Sequence, residues 1–276
     1  MEHKLTKEEY AQKMKEKRLF LFDMANQQLI KTTSSNELYL NYLALQGKLL
    51  YTVTNTLLVQ TQKPDAILLK DVAHWQEDGY FIKNGEKGIQ ILEPGKEYKK
   101  RDGSYGCSYN PKYVFDVTQT DAQEEKKEVD YKSVISAIVY KEKIKPQIVS
   151  EDSTLPRPVY YDVASDAMYV LKGQEMNEMI SGLIREYIFI EVKNQYSSYE
   201  EAKFCVLSIT QMICSRYGIE NKNESIDCVT HFNGMDDKVI KSELQDMKRI
   251  FDSVNQRMEH GLYMKGKNNY RGHEER

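Results

Sequence analysis

The sequence predicts an α+β protein: N-terminal helices packed on a small antiparallel sheet, followed by a mostly helical second domain with a short β unit. Three observations carry this. Apolar residues recur at helical spacing from Thr6 to Gln62, and again from Glu175 to Met258. Between those runs, Asn84-Gly85 and the alternating residues from Lys112 to Thr118 mark turns and strands. A stretch with almost no apolar content, D-A-Q-E-E-K-K-E-V-D from Asp121, divides the front from the back.

In the front part, Tyr10, Met14, Leu21, Met24 and Ile30 set a first helix from Thr6 to about Lys31. A polar break over residues 32–35 can cap the second helix, Glu37 to Gln46, which Gly47 should end. Tyr51 to Gln62 reads as a third, with Val53, Leu57 and Leu58 inward, and Pro64 stops it. Its Asn55 and Gln60 suit either base-edge contacts or structural hydrogen bonds between helix and sheet. Residues Trp75 to Leu92, W-Q-E-D-G-Y-F-I-K-N-G-E-K-G-I-Q-I-L, predict a compact β-hairpin whose tip presents Lys83 and Lys87, with Trp75 and Tyr80 nearby as stacking faces. Pro94 to Asn110 reads as a turn-rich loop carrying Lys99, Lys100 and Arg101 in a row, and the strand from Lys112 to Thr118 closes the sheet.

The expected organisation is a first domain over 1–120, a charged linker with a short helix over 121–158, a second domain over 159–260 and a frayed tail over 261–276. In the second domain, residues 159–171 form two strands about a polar turn. Met176, Ile180, Leu183, Tyr187 and Ile190 stripe a helix from Glu175 to about Lys193. Ser198 opens the next helix, Gly218 ends it, and Ile240 to Met258 make the last.

Composition excludes several classes. A net charge of -3 rules out a globally basic DNA-coating protein, although a local patch still steers a polyanion. Residues 1–120 carry 17 Lys and Arg against 15 Asp and Glu, so the surplus of cations lies in the front. No apolar run is long enough to span a bilayer, and four scattered cysteines without a Cys-x-x-Cys pair point to the cytoplasm and away from a zinc or disulfide framework.

The segment from Asn55 to Thr120 resembles the N-terminal domain of the ArdC-type antirestriction family. The residues that carry the resemblance are Asn55-x-x-Leu58, Gln62-x-Pro64-Asp65-Ala66, Trp75, the run from Gly79-Tyr80 through Lys83-x-Gly85-Glu86-Lys87-Gly88 to Leu92-x-Pro94, and Val114-Phe115-Asp116-Val117-x-Gln119-Thr120. Where the family more often has Arg, Tyr80 stands. The resemblance implies a single-stranded-DNA-binding domain of a kind common on conjugative plasmids and integrative elements. It also implies a zincin-like metallopeptidase domain behind it, whose His-Glu-x-x-His helix follows a short β unit.

At that place the sequence reads Arg185-Glu186-Tyr187-Ile188-Phe189. Zinc needs imidazoles at i and i+4 on one helical face, with the Glu between them polarising water. Arg185 is a permanent cation and Phe189 has no lone pair, so neither can ligate. The expectation is a degenerate centre, made of Arg185, Glu186, Phe189 and Glu201, with no metal, cofactor or catalysis. The expected function is non-enzymatic: binding of single-stranded DNA by Lys83, Lys87, Lys99, Lys100 and Arg101, with stacking on Trp75 or Tyr80, to shield DNA entering a cell. The other class weighed is an inhibitor that binds a host defence protein through the degenerate half.

Overall fold

The computed structural model describes residues 6–99, 102–122, 128–222 and 225–274, with the backbone alone for 267–274. The chain folds as α+β and divides into two compact units. The first comprises Met1–Glu125 and Met235–Lys241, the second Lys126–Gly234 and Ser242–Arg276.

In the first unit, α1 (Lys7–Thr33) starts at a full capping box between Thr6 and Glu9. Helix α2 (Asn36–Leu49) runs past Gly47, which is buried inside it, and its left-handed cap falls instead on Leu50, at φ 59°. Helix α3 (Val53–Gln62) begins at Thr52. Leu45 of α2 and Val59 of α3 pack with Ala66 against Ile89, Ile91 and Val114 in one cluster of this unit's core.

The expected hairpin over Trp75–Leu92 does not form. Trp75 lies in the short helix α4 (Val72–Glu77), capped by Asp71. The Asn84-Gly85 turn is present, with Gly85 at φ 86°, but the chain before it pairs elsewhere. Ile82 bridges Thr120, the Lys83 amide donates to the Gln119 carbonyl at 2.9 Å, and the Phe81 amide donates to the Asp121 carboxylate at 2.8 Å. A long-range partner has outcompeted the local one.

The hairpin is instead β2 (Ile89–Lys99) with β3 (Tyr105–Asp116), so most of the expected loop over Pro94–Asn110 is strand. The register shifts between Pro94 and Glu97, which accommodates Pro94 on an edge strand. Gly95 is needed in that irregularity, because a Cβ there would meet the Ser108 Oγ at 2.5 Å. Strand β3 does not close the sheet but lies at its centre, in the order β1-β3-β2, with β1 (Leu69–Lys70) on its other side.

The second unit holds more of the chain than the expected 159–260. What reads as linker contains α5 (Tyr131–Ile138) and β4 (Pro146–Val149). Strand β4 runs parallel to β6 (Ala167–Leu171), which pairs antiparallel with β5 (Val159–Asp162). Apolar residues at 134, 137 and 138 bury one face of α5, which is why so charged a stretch still belongs to a core. Helix α6 (Met176–Val192) packs on β5, and Gly182 lets it approach Val159. Helix α7 (Tyr199–Tyr217) starts at Ser198 and ends at Gly218, as its sequence predicts. A four-residue helix, α8 (Cys228–His231), precedes α9 (Asp237–Glu274), which gives Leu244, Met247, Phe251 and Met258 to the interior. The expected frayed tail is helical through Glu274. No described helix is long and apolar enough to cross a membrane.

Candidate functional site

Of the four front-half residues nominated for base contact or stacking, Asn55, Gln60 and Trp75 are buried and Tyr80 is exposed. Trp75 is 2 % exposed, and its indole N–H donates to the Phe115 carbonyl at 2.9 Å. It anchors α4 to the sheet and offers no face to a base. Asn55 donates to the Leu92 carbonyl and accepts from the Leu92 amide, both at 2.9 Å. Gln62, two turns on, makes the same pair of bonds to Gln90, also at 2.9 Å. The two amide side chains thereby occupy the ladder positions of a missing strand and close the edge of β2. Gln60 accepts from the Thr32 hydroxyl at 2.7 Å and donates to the Leu38 carbonyl at 2.7 Å, tying α3 to α1 and α2. These polar residues serve the layer between helices and sheet.

The nominated lysines are placed differently. Lys83, Lys87 and Lys99 are exposed, and among the described residues none of them is in an ion pair. Lys83 Nζ donates to the Thr118 carbonyl at 3.0 Å, and the Lys87 carbonyl accepts from Gln119 at 3.0 Å, so the basic loop is pinned to the 3-10 turn after β3. Lys99 stands directly across the hairpin from Tyr105, which is 71 % exposed. Phe81 and Tyr80 are exposed beside Lys83 in sequence. Lys100 and Arg101 lie outside the described residues. Stacking surface next to cations is therefore present, but on Tyr80, Phe81 and Tyr105 rather than Trp75. The sequence signal for Tyr105 was the run S-Y-G in a basic loop, hidden while that loop read as irregular.

The knot that holds this loop is Asp116, 0 % exposed. One carboxylate oxygen accepts from the Ile67 and Leu68 amides at 2.7 and 2.9 Å, the other from the Thr118 amide and hydroxyl at 3.1 and 2.7 Å. A carboxylate accepts roughly four hydrogen bonds, so its capacity is filled. Gln119 then accepts from the Asp116 amide at 2.9 Å and donates to Glu86 at 2.8 Å, which carries the order through to the basic turn.

In the second unit, Glu186 is likewise 0 % exposed. Its Oε1 accepts from Arg157 Nε at 3.1 Å and Arg185 Nε at 3.3 Å; its Oε2 accepts from Arg157 Nη2 at 3.4 Å and the Tyr161 amide at 3.1 Å. Arg185 also donates to the Val159 carbonyl at 3.4 Å. The Arg157 guanidinium lies 3.8 Å from the centre of the Tyr199 ring, a cation–π contact that offsets part of its desolvation. Phe189 packs edge-on between Tyr161 and Tyr199, with ring centres 6.3 and 5.1 Å apart. Tyr187 donates its hydroxyl to the Ile144 carbonyl at 2.8 Å, and burial raises that phenol well above its ordinary range.

This arrangement does not fit a metal. Cationic and aromatic side chains stand where two imidazoles are needed, and Glu186 has no lone pair left with which to polarise water. Glu201 is spent at the start of α7, where its carboxylate accepts from the Ser197 amide and hydroxyl, which lowers its pKa. Among the described residues no three His, Cys, Asp or Glu side chains converge to hold an ion. Arg157, which completes the cluster, sits between two prolines in a segment with no pattern, and nothing in the sequence points to it.

No protein-family model and no curated protein matches the sequence. Among solved structures, the chain is similar to the antirestriction protein ArdC from the R388 plasmid. In the metal-free form the TM-score is 0.47 at 16% identity, over 76% of this chain and 86% of that one. In the Mn(II)-bound form it is 0.48 at 14% identity, over 75% and 85%.

Proposed function

We propose that this chain is a non-enzymatic, antirestriction-like protein of a mobile genetic element, which binds single-stranded DNA with its first unit and shields it from host defences inside the recipient cell. The observation that carries this reading is the pairing of exposed cations with exposed rings at two places in the first unit: Lys83 and Lys87 with Tyr80 and Phe81 at the basic turn, and Lys99 with Tyr105 at the tip of the hairpin. Flexible cations attract phosphates and exposed rings stack on bases, a combination that favours a single strand over a duplex, whose bases are already stacked. The residue-level resemblance from Asn55 to Thr120 supports the same reading. The filled lone pairs of Glu186 support a second unit without peptidase chemistry.

A second reading, inhibition of a host defence protein, has one observation in its favour. Strand β4 is at the edge of its sheet and carries Ile148, 77 % exposed, a surface on which an extended segment of another protein can pair.

The test is a titration of the purified protein into fluorescent single-stranded and duplex oligonucleotides, followed by anisotropy at two salt concentrations. Preference for the single strand, with affinity falling steeply as salt rises, is the expected result. The double change K83E/K87E should weaken binding about tenfold or more. Absence of binding at low salt overturns the reading and favours the protein partner. One bound equivalent of zinc overturns the non-enzymatic part.

A further inference from the structure

The sheet of the second unit has two edges, and they are finished differently. At β5 the outward backbone groups are taken up by side chains: the Tyr161 amide donates to Glu186 at 3.1 Å, and the Val159 carbonyl accepts from Arg185 at 3.4 Å. On β4, at the other edge, the Val149 carbonyl accepts from the Lys172 amide at 3.1 Å. Residues 147 and 149 therefore turn their backbone groups to β6, and Pro146, Ile148 and Ser150 turn theirs outward. Among the described residues no side chain bonds the outward backbone groups of these three. Pro146 has no N–H, which ends any further ladder at that point.

The core face of the sheet breaks off at the same edge. Val159, Val170 and Ile148 are direct neighbours across β5, β6 and β4. The first two are buried, at 1 % and 4 % exposure, whereas Ile148 is 77 % exposed. Charge is divided along the segment as well. Lys143 and Lys145 precede β4 and Glu151 and Asp152 follow it, all four exposed.

We infer that β4 pairs with β4 of a second copy of this chain, antiparallel about a twofold axis at Ile148, joining two three-stranded sheets into one. In that register the Ile148 amide and carbonyl bond those of Ile148 in the second copy, and each Ser150 amide meets a Pro146 carbonyl across the axis. The apolar row from Val159 through Val170 then continues across both Ile148 side chains into the second copy. Lys145 comes opposite Glu151 of the other copy, twice, whereas a parallel pairing would set like charges together. An exposed apolar edge is a template for another strand, and a twofold pairing uses it up, because β5 is closed by Glu186 and Arg185 and the sheet cannot grow on that side. Pro146 keeps the contact short, so the dimer is a weak one. An extended segment of another protein would meet the same backbone groups but would have to bring the matching charges itself.

The experiment is sedimentation velocity of the full chain from about 1 to about 200 µM, over which the parent should pass from monomer to dimer. I148K, which sets two ammonium groups at the axis, should abolish the dimer. K145E and E151K should each weaken it about fivefold by placing like charges opposite one another, and K145E/E151K should return it to the parent's affinity. All three positions are exposed, so the variants should fold, and an unchanged circular dichroism spectrum checks this. A parent that stays monomeric to the top of the range overturns the pairing and leaves the edge to a segment of another protein. A dimer that survives I148K, or a charge-swapped double variant no tighter than the single ones, overturns it as well. No DNA enters the measurement, so the proposed function stands or falls separately.

Discussion

Each unit contains one fully buried carboxylate with about four hydrogen bonds, and the two are built from opposite materials. Asp116 is held by three backbone amides and a hydroxyl, Glu186 by two guanidiniums and one amide. Neutral donors fix a carboxylate without adding charge to a core, so Asp116 works as a clip that ties residues 67–68 to the end of β3 and aligns Gln119 with the basic turn. The cluster at Glu186 brings two guanidiniums and a carboxylate into a desolvated place, where the partners cannot be separated cheaply. The first arrangement holds the basic turn in position; the second fills the lone pairs of its carboxylate with the donors around it.

The largest break of this comparison is E186Q. It removes the carboxylate charge that Arg157 and Arg185 share and should cost about 3–5 kcal/mol in urea unfolding. Replacing all three charged residues together by apolar ones of similar volume should recover much of that loss, because the desolvation penalty goes with the charges. A triple variant no more stable than E186Q would mean that the ion cluster is worth more than its cost.

D116N should cost less, about 1–3 kcal/mol, because an amide still accepts with one oxygen while its NH₂ faces donors. It should also weaken binding of single strands, since Gln119 loses its alignment with Glu86 and Lys87. Unchanged binding in a folded D116N would separate the clip from the basic turn. N55A should cost about 1–2 kcal/mol by unpairing the Leu92 amide and carbonyl, and Q62A a similar amount at Gln90. Amide hydrogen exchange at Leu92 and Gln90 is the direct readout.

The smallest effect concerns pH. Lys112 beside Asp71, helped by the His74 amide and ring, holds Asp71 well below the usual carboxylate range. A carboxylate depressed in the folded state adds stability above its unfolded range, near pH 4, and loses it as pH falls through the folded value. The same contacts push Lys112 upward, so its share persists through neutral pH and is lost only in strong base. D71N, which keeps a capping oxygen for α4 and removes the charge, should cost about 0.5–1.5 kcal/mol at pH 7. Its deficit relative to the parent should shrink below about pH 4. A deficit that stays constant down to pH 2 would assign it to altered hydrogen bonding and not to the lost charge.

What the sequence by itself determined was local. The start of α1 at Thr6, the span of α6 and both ends of α7 follow from 3.6-residue periodicity and from capping groups within a turn of the residues they serve. That positions 185 and 189 of α6 hold no imidazole is equally plain, because ligand chemistry belongs to the side chain itself. Tertiary structure decided which segments meet. Asn84-Gly85 is a correct turn signal, yet residues 81–83 pair with 119–121 because those groups lie alongside once β3 is in place. Trp75 became a core anchor because the Phe115 carbonyl, forty residues on, faces its indole. Arg157 found Glu186 across twenty-nine residues. Strand pairing and ion pairing pay loop-closure entropy that no short window of sequence records, so their outcome depends on the competition among all partners within reach.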